Sequence, residues 1–193
     1  HGFASLRRKS LTGTFRDMKT PQRLRKGDRI GIVATGALFN RERFQRGIKF
    51  IKTWGLIPVL DKNLFKKDFI FAGTPEQRLA GLKSMILDPT IKAIWCVRGG
   101  AGSYAVAPGL AELKLKSIKS KPLIGLSDIT ALHLVFNQVF NWPTLHAPMV
   151  DRMGSDEQPK AEQEELRKTL FDHDFRLNVQ TGLSVFGKKS VVQ

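Results

Sequence analysis

Cysteine is almost missing from this sequence, since Cys96 is the only one in 193 residues. A single cysteine excludes an intrachain disulfide and leaves no set of thiolates for a zinc cluster. Cys96 lies within the apolar run at residues 93–97. We therefore interpret it as a buried, unreactive thiol rather than as a nucleophile.

Long apolar runs are also missing, so no segment could span a bilayer. The cationic triplet at residues 7–9 is not followed by the apolar stretch that an export signal requires. We therefore expect a cytoplasmic protein that makes no contact with a membrane. With 41% hydrophobic residues, the chain can form one well-buried domain and a small appendage.

Acidic residues are few, because 17 Asp and Glu stand against 32 Lys and Arg, a net charge of +15. Residues 1–30 hold nine of the cations and two of the acids, a surplus of seven. A basic arm can bind nucleic acid or anionic lipid, and the alternative is a solvated tail. The chain has one tyrosine and lacks the paired aromatics of RNA-binding modules, so nucleic acid is not the partner we expect.

Short apolar runs alternate with segments of helical periodicity from residue 29 onward. Strands are predicted at residues 29–35, 56–60, 91–97 and 122–126. Helices are predicted after Asn40, after Thr74, and over residues 104–113, 128–140 and 158–170. Pro58 inside the second run favours an edge position for that strand.

The predicted strands are too apolar for a sheet with one wet face. The pattern therefore predicts an α/β fold, with a parallel sheet covered by helices on both faces as in Rossmann and flavodoxin-like domains. In the helix over residues 128–140, the spacing predicts an inward face formed by Ile129, Leu132, Val135, Phe136 and Val139.

The turn at residues 125–128 (GLSD) carries a serine where an apolar strand runs directly into a helix. A serine there points its hydroxyl out of the top of the sheet, and backbone N–H groups at the start of the helix can stabilise an oxyanion. This is the arrangement of a nucleophile elbow, except that Ile129 replaces the second glycine of the G-x-S-x-G pattern. The alternative is that Ser127 only caps the helix.

A glycine-rich turn follows the third predicted strand at residues 98–103 (RGGAGS). Glycine permits positive φ and close backbone approach, so the N–H groups of this turn could form the other half of an oxyanion hole. Residues 100–105 (GAGSYA) also fit the dinucleotide fingerprint G-x-G-x-x-G/A. That fingerprint normally follows the first strand of its unit and has an acidic residue at a strand end about twenty positions later. Nucleotide binding and a purely structural turn stay open as alternatives.

A serine nucleophile needs a base, usually a histidine that a carboxylate holds in place. His133 lies six residues after Ser127, nearly two helical turns away, which disfavours a direct hydrogen bond between them. His146 stands at another predicted strand end and could line a pocket, and a structural role is an equal alternative for both histidines. His173 lies in a polar stretch and is interpreted as exposed. The sequence thus offers a nucleophile without an evident base.

Five short segments of the sequence, taken together, resemble a known family. They are residues 25–34 (RKGDRIGIVA), 71–79 (FAGTPEQRL), 88–100 (DPTIKAIWCVRGG), 125–133 (GLSDITALH) and 144–148 (TLHAP). Each alone is weak, but the five in order over residues 25–150 resemble the LD-carboxypeptidase family of serine peptidases. This family, also called muramoyltetrapeptide carboxypeptidases, includes the microcin C immunity peptidases.

The resemblance implies an enzyme of murein recycling that releases terminal D-alanine from a cell-wall tetrapeptide. It implies a murein peptide as substrate, no metal and no cofactor, and it allows a homodimer. Matched by position, Ser127 is the nucleophile. The backbone N–H of Asp128 and that of Gly99 or Gly100 would form the oxyanion hole.

Other positions of the resemblance concern the pocket wall, for which Arg98, Thr130 and His146 are candidates. Two positions depart from the family pattern in a way that alters substrate fit. Ala101 stands where an aromatic residue is usual, and Leu126 stands where a tyrosine is usual. Both changes remove pocket wall.

Family members have two domains, and their catalytic glutamate and histidine come from the C-terminal one. We expect a basic extension at residues 1–25, a nucleophile-bearing α/β domain at residues 26–155, and a helix and linker at residues 156–193 towards a C-terminal domain that this sequence does not show. The chain would then be the N-terminal half of the peptidase. The alternatives are a catalytically inactive fragment that binds murein peptides or assembles with a partner and, more weakly, a nucleotide-binding domain.

Overall fold

A computed structural model describes residues 22–115 and 117–172. Its strands are β1 (Arg29–Val33), β2 (Ile57–Leu60), β3 (Ile91–Cys96), β4 (Leu123–Gly125) and β5 (Thr144–His146). Its α-helices are α1 (Arg41–Thr53), α2 (Pro75–Leu87), α3 (Ser103–Ala111), α4 (Thr130–Gln138), α5 (Val150–Met153) and α6 (Lys160–Phe171). A 3₁₀ turn, Ser127–Ile129, leads directly into α4. None of the helices in these two ranges has the length and apolar character that crossing a bilayer requires.

All five strands run parallel, in the spatial order β2-β1-β3-β4-β5. The predicted parallel sheet is confirmed, and β2 lies at an edge, as Pro58 indicates. The chain passes from β1 to β2 on one side and then crosses to β3 on the other side of β1. Sheets of this type bind ligands beyond the carboxyl ends of the strands, close to such a reversal.

An apolar cluster fills the space between sheet and helices on each face. On one face, α1, α5 and α6 contribute Phe44, Ile51, Val150, Leu166 and Leu170. On the other face, α2, α3 and α4 contribute Leu82, Ile86, Val106, Leu132 and Phe136. Full burial of a side chain of this kind stabilises the fold by about 1.5–3 kcal/mol. The two clusters therefore hold the strands in a fixed register beneath the loops.

Local signals fix where the first two helices begin. The Asn40 side chain accepts a hydrogen bond from the Arg43 N–H (2.9 Å) at the start of α1. Thr74 and Gln77 form a capping box at α2, in which each side chain accepts from the backbone N–H of the other, and Pro75 is the first helical residue. These contacts satisfy N–H groups that the first turn of a helix leaves without partners.

The helix predicted over residues 128–140 is shorter than expected. α4 ends at Gln138, and Val139 follows it as the C-cap residue. Val139 is 53% exposed, so the expectation that it faces inward is wrong. Val139 still has helical backbone angles, and its N–H donates to the Val135 carbonyl (3.0 Å), so its exposure shows that the buried face of α4 does not extend to the end of the helix.

The last described helix packs on the α/β body. Leu166 and Leu170 of α6 belong to the same buried cluster as Leu24, and the Leu24 N–H donates to the Leu170 carbonyl (3.0 Å). The division into a basic extension, an α/β domain and a linker stays a prediction. The arm at residues 1–21 and His173 lie outside the described residues.

Candidate active site

Loops from three strands meet at the carboxyl edge of the sheet. Gly36, after β1, lies so close to Gly99, after β3, that a Cβ on Gly36 would meet the Gly99 carbonyl oxygen. The Ala37 N–H donates to that same oxygen (2.8 Å). Gly99 also lies against the turn after β4, because its ideal Cβ position is 3.4 Å from the Ser127 Cβ. The two turns identified in the sequence are therefore neighbours in space.

Ser127 has a backbone conformation that is rare for a residue with a side chain. Its φ is +62°, in the left-handed region, and the residue is exposed. Such a conformation costs on the order of 1–3 kcal/mol and occurs preferentially at functional sites. Within residues 22–115 and 117–172, no side chain caps the 3₁₀ turn or α4, and Leu126 is the N-cap residue of the turn. The alternative that Ser127 only caps the helix is therefore wrong.

Gly125 and Ile129 explain how the turn forms without a second glycine. A Cβ on Gly125 would lie 2.9 Å from the Ile129 side chain, closer than ordinary van der Waals contact. The Ile129 side chain is completely buried in the cluster beneath α4. Glycine is thus required at position 125, while Ile129 anchors the turn to the core.

The backbone around Ser127 can hold an oxyanion. The ideal Cβ position of Gly99 is 3.3 Å from the Asp128 nitrogen, and Gly100 has a φ of +85°. A side chain at either position would press into the turn or strain the backbone. In the described part of the chain, no hydrogen bond between loops uses the N–H of Gly99, Gly100 or Asp128. N–H groups in this position can stabilise negative charge that develops on a carbonyl oxygen.

A buried polar network lies beneath the serine turn. The Arg78 guanidinium donates to the Thr35 carbonyl (2.8 Å), and Arg78 is 3% exposed. The Thr35 and Ser103 hydroxyls hydrogen-bond to each other (3.2 Å), and the Ser103 N–H donates to the Asp128 carboxylate (2.8 Å). Burial lowers the pKa of Arg78, and the negative charge of Asp128 opposes that shift. The network connects β1, α2 and α3 to the residue directly after Ser127.

The same network argues against the dinucleotide interpretation of residues 100–105. α3 follows Gly102, whose φ is +109°, and the Asp128 carboxylate accepts the N–H of Ser103, the first residue of that helix. A bound diphosphate would need the start of this helix. The protein's own carboxylate already fills that position, so the start of α3 is not available to a dinucleotide.

Cys96 ends β3 directly below the glycine turn. It is completely buried, and the Thr35 hydroxyl makes a long contact with its Sγ (3.9 Å). Burial raises the pKa of the Cys96 thiol to about 12. A thiol that stays protonated is a poor nucleophile, so the predicted buried, unreactive cysteine is confirmed.

His133 and His146 lie side by side, with ring centroids 6.2 Å apart. His146 ends β5 opposite Gly125 and is exposed, whereas His133 is buried on α4 with no partner for its Nε2 among the described residues. Burial and, to a smaller extent, His146 lower the pKa of His133 to about 4. Over residues 22–115 and 117–172, no histidine or carboxylate hydrogen-bonds to the Ser127 hydroxyl.

The remaining predicted pocket residues, Arg98 and Thr130, are exposed at the same edge of the sheet. Thr130 is the first residue of α4. Arg98 directly precedes Gly99 and donates to the Asp151 carboxylate (3.3 Å). Arg98, Gly100 and Asp151 line a cavity of about 240 Å³.

Two members of this region could have been found from the sequence. Arg78 lies four residues before Leu82, on the face of α2 that the apolar spacing predicts to be buried. Asp151 is the one acidic residue in the apolar stretch at residues 147–153. A charged residue in an apolar pattern indicates a buried pair, since such a residue is rarely buried alone.

Comparison with known proteins identifies the family. The sequence profile of the LD-carboxypeptidase N-terminal domain matches residues 30–147, which include both turns. The chain belongs to the LD-carboxypeptidase family. The resemblance carried by the five sequence segments is thereby confirmed.

Relatives of this LD-carboxypeptidase-family chain include a murein tetrapeptide carboxypeptidase of Pseudomonas aeruginosa, 30% identical over 140 residues, or 72% of this chain and 45% of that protein. A Streptomyces coelicolor protein with a provisional carboxypeptidase name is 35% identical over 159 residues, or 81% of this chain and 51% of that protein. Among solved structures, the microcin C7 self-immunity protein without ligand aligns with a TM-score of 0.71 and 26% identity, covering 80% of this chain and 48% of that one. The chain thus spans about half the length of the relatives it matches.

Proposed function

We propose that Ser127 is the nucleophile of a serine-type peptidase reaction that releases terminal D-alanine from a murein tetrapeptide during cell-wall recycling. The observation that carries the proposal is the exposed serine at φ +62° in the turn after β4, within the domain that defines the family. The name of the Pseudomonas aeruginosa relative supports the substrate class.

The chemical steps follow from this position. The Ser127 Oγ attacks the carbonyl carbon of the bond before D-alanine, and the carbonyl oxygen becomes an oxyanion. The N–H of Asp128 and that of Gly99 or Gly100 stabilise this charge. Collapse of the intermediate breaks the C–N bond, D-alanine leaves after its amine takes up a proton, and water then hydrolyses the acyl-serine.

The Ser127 hydroxyl must lose its proton to a base within about 2.6–3.2 Å. His133, with a pKa of about 4, would be a weak base at neutral pH, and its helix position lies nearly two turns from Ser127. We therefore assign the base and its carboxylate to residues outside the described part, in a C-terminal domain of the kind the family resemblance implies. In this proposal the chain acts as the nucleophile-bearing half of the enzyme.

The test is D-alanine release from L-Ala-γ-D-Glu-diaminopimelate-D-Ala by the 193-residue chain and its Ser127→Ala variant. Ser84→Ala, which removes an exposed hydroxyl on α2, is the matched control. We expect slow release by the chain and by the control, and none by Ser127→Ala. A missing general base lowers the rate by about 10²–10⁴-fold, so the Pseudomonas aeruginosa relative serves as the reference for a complete site. Equal release by the chain and Ser127→Ala would contradict a nucleophilic role.

A second candidate function is binding of murein peptides without catalysis. It is favoured by one observation, the lack of a base bonded to Ser127 among the described residues. Titration calorimetry with the same tetrapeptide separates the two functions, because binding without any D-alanine release supports the second and contradicts an enzyme formed by this chain alone.

Two further expectations belong to the proposal. The cytoplasmic location and the homodimer stay predictions, and sedimentation velocity measures the latter directly. Nucleic acid is not included as a partner.

A further inference from the structure

Arg98 and Asp151 form an ion pair in the wall of the cavity beside the proposed oxyanion hole. The Arg98 Nη1 lies 3.3 Å from the Asp151 Oδ2. The Asp151 side chain is 8% exposed, whereas that of Arg98 is 44% exposed. One member of the pair is thus held inside the protein while the other faces the cavity.

The fold fixes Asp151 in place. Its N–H donates to the Val97 carbonyl (3.1 Å), and it lies on α5 between the buried residues Val150 and Met153. Burial raises the pKa of Asp151, and the adjacent Arg98 opposes that shift. A buried carboxylate needs its cationic partner, because an unpaired charge there is strongly destabilising. Asp151 therefore holds the Arg98 guanidinium in one position.

Arg98 keeps most of its donors available for a ligand. A guanidinium has five N–H donors, and Asp151 is its only hydrogen-bond partner among the described residues. The planar fork of a guanidinium matches a carboxylate with two parallel hydrogen bonds. Arg43 and Arg152 line the same cavity. Together with Arg98 they make three cations, and the two acidic residues of the lining are Asp151 and Glu157. The cavity therefore favours an anionic group.

Arg98 is joined to the serine turn through Gly99. In a peptide, the terminal carboxylate lies roughly one residue length, about 4 Å, beyond the last peptide carbonyl. Arg98 is one residue before Gly99, whose ideal Cβ position is 3.4 Å from the Ser127 Cβ. Gly100, on the other side of Gly99, lines the cavity together with Arg98. The cavity therefore includes the two neighbours in sequence of the glycine that lies against the serine turn.

We propose that Arg98, positioned by Asp151, binds the terminal carboxylate of the substrate and so restricts the reaction to the last residue of a peptide. The inference rests on the proposed function and specifies the subsite for the leaving residue. Arg98 would contact substrate directly. Asp151 would act through Arg98, as a positioning residue.

The test is equilibrium binding to the 193-residue chain carrying Ser127→Ala, which prevents turnover. Titration calorimetry compares the tetrapeptide L-Ala-γ-D-Glu-diaminopimelate-D-Ala with the same peptide ending in a carboxamide. We expect the carboxylate form to bind about 10- to 100-fold more tightly, the range for a hydrogen bond to a charged group. Adding Arg98→Gln should reduce this ratio to about threefold or less, and adding Asp151→Asn should reduce it partly. Arg167→Gln, which removes the same charge from an exposed ion pair on α6, should leave the ratio unchanged.

A ratio near one in the unmodified site, or a ratio that Arg98→Gln does not change, would overturn the subsite. Failure of the proposed function has a different signature, because D-alanine release is measured separately with Ser127 intact. D-alanine release together with equal binding of the carboxylate and carboxamide peptides would contradict the proposed subsite but not the proposed function. If the carboxylate peptide binds more tightly in an Arg98-dependent way but no D-alanine is released, the result supports the subsite and contradicts catalysis by this chain. Absence of binding by either peptide overturns the subsite.

Discussion

Two buried cations stabilise opposite ends of α2, and they differ in what they connect. Near the first turn, Arg78 is 3% exposed and donates to the Thr35 carbonyl at the end of β1. Beyond the last turn, Lys121 is 2% exposed and its Nζ donates to three carbonyls of the helix end. These carbonyls belong to Met85 (2.9 Å), Ile86 (2.5 Å) and Asp88 (2.5 Å).

Lys121 has a structural role, whereas Arg78 supports the candidate site. Lys121 satisfies the last carbonyls of a single helix and lies at its negative end, which is a local role. Arg78 lies close to the Asp128 carboxylate, and that carboxylate also holds the start of α3. Both residues are buried cations among carbonyl groups. Arg78, at one end of α2, supports the serine turn, whereas Lys121, at the other end, supports only the helix.

The largest effect is expected for Arg78→Met. The substitution leaves the Thr35 carbonyl without its donor and Asp128 without its nearby cation, so we expect a loss of about 3 kcal/mol in the free energy of unfolding. Tetrapeptide binding should fall as well, because the serine turn loses its support. Urea unfolding measures the first and calorimetry the second. Arg167→Met, which breaks an exposed pair with Glu164, should change stability by less than about 1 kcal/mol, and an equal loss in both variants would contradict the role of Arg78.

Lys121→Met should have a smaller effect that stays at the far end of the sheet. The helix carbonyls lose their donor while the apolar stem of the side chain is replaced, so we expect a loss of about 2 kcal/mol in urea unfolding. Tetrapeptide affinity should not change. Lys83→Met, at an exposed position of α2, is the matched control and should leave stability within about 0.5 kcal/mol of the original. If Lys121→Met also weakened peptide binding, the conclusion that Arg78 supports the site and Lys121 only the helix would be wrong.

His133 should make stability depend on pH. Its pKa is lowered from 6.5 to about 4 in the folded protein, chiefly by burial. Between these values the unfolded chain takes up a proton that the folded chain does not, so this group's contribution to stability falls as pH falls from 6.5 to 4. The slope should be at most about 1.4 kcal/mol per pH unit.

The measurement is urea unfolding at several pH values between 4 and 6.5 for the original chain and for His133→Leu. The variant should show a flatter dependence on pH, since it lacks the titrating group. His146→Gln should keep most of the slope, because burial, not His146, is the larger cause of the lowered pKa. Identical slopes for the original chain and His133→Leu would show that His133 does not titrate in this window.

The smallest effect, which is a gain in stability and not a loss, is expected for Ser127→Gly. Glycine adopts a φ of +62° without strain, so we expect stability to rise by about 1 kcal/mol while D-alanine release disappears. Phe69→Gly is a matched control, since Phe69 has a φ of +52° and is 82% exposed. It should also gain stability, with peptide binding unchanged. A loss of stability in Ser127→Gly would mean that the turn is not strained.

The sheet and the serine turn could be predicted because their signals are local. The first four strands are short apolar runs, and the turn at residues 125–128 places serine between a strand and a helix within four residues. The 3₁₀ start of α4 and the exposure of Val139 could not be predicted, because the periodicity of a helix does not mark where it ends.

The network beneath the turn could not be predicted as a unit. Thr35, Arg78, Ser103 and Asp128 come from four separate parts of the chain, and each has an ordinary local role as a strand end, helix residue or helix start. Their contacts depend on how β1, α2 and α3 pack, and that packing is set by the apolar clusters rather than by any motif.

Pro58 limits what could pair with β2, which is the edge strand of the sheet in the part of the chain that the structure describes. The N–H groups of Ile57 and Asp61 donate towards β1, to Asp28 (2.9 Å) and Ile32 (3.0 Å), so the alternate position 58 directs its nitrogen away from the sheet. Proline has no N–H to offer there. Ile57 is 46% exposed on this strand, and an apolar edge with a full row of donors invites pairing with other chains. The missing donor at its centre makes fibre growth by strand addition unfavourable.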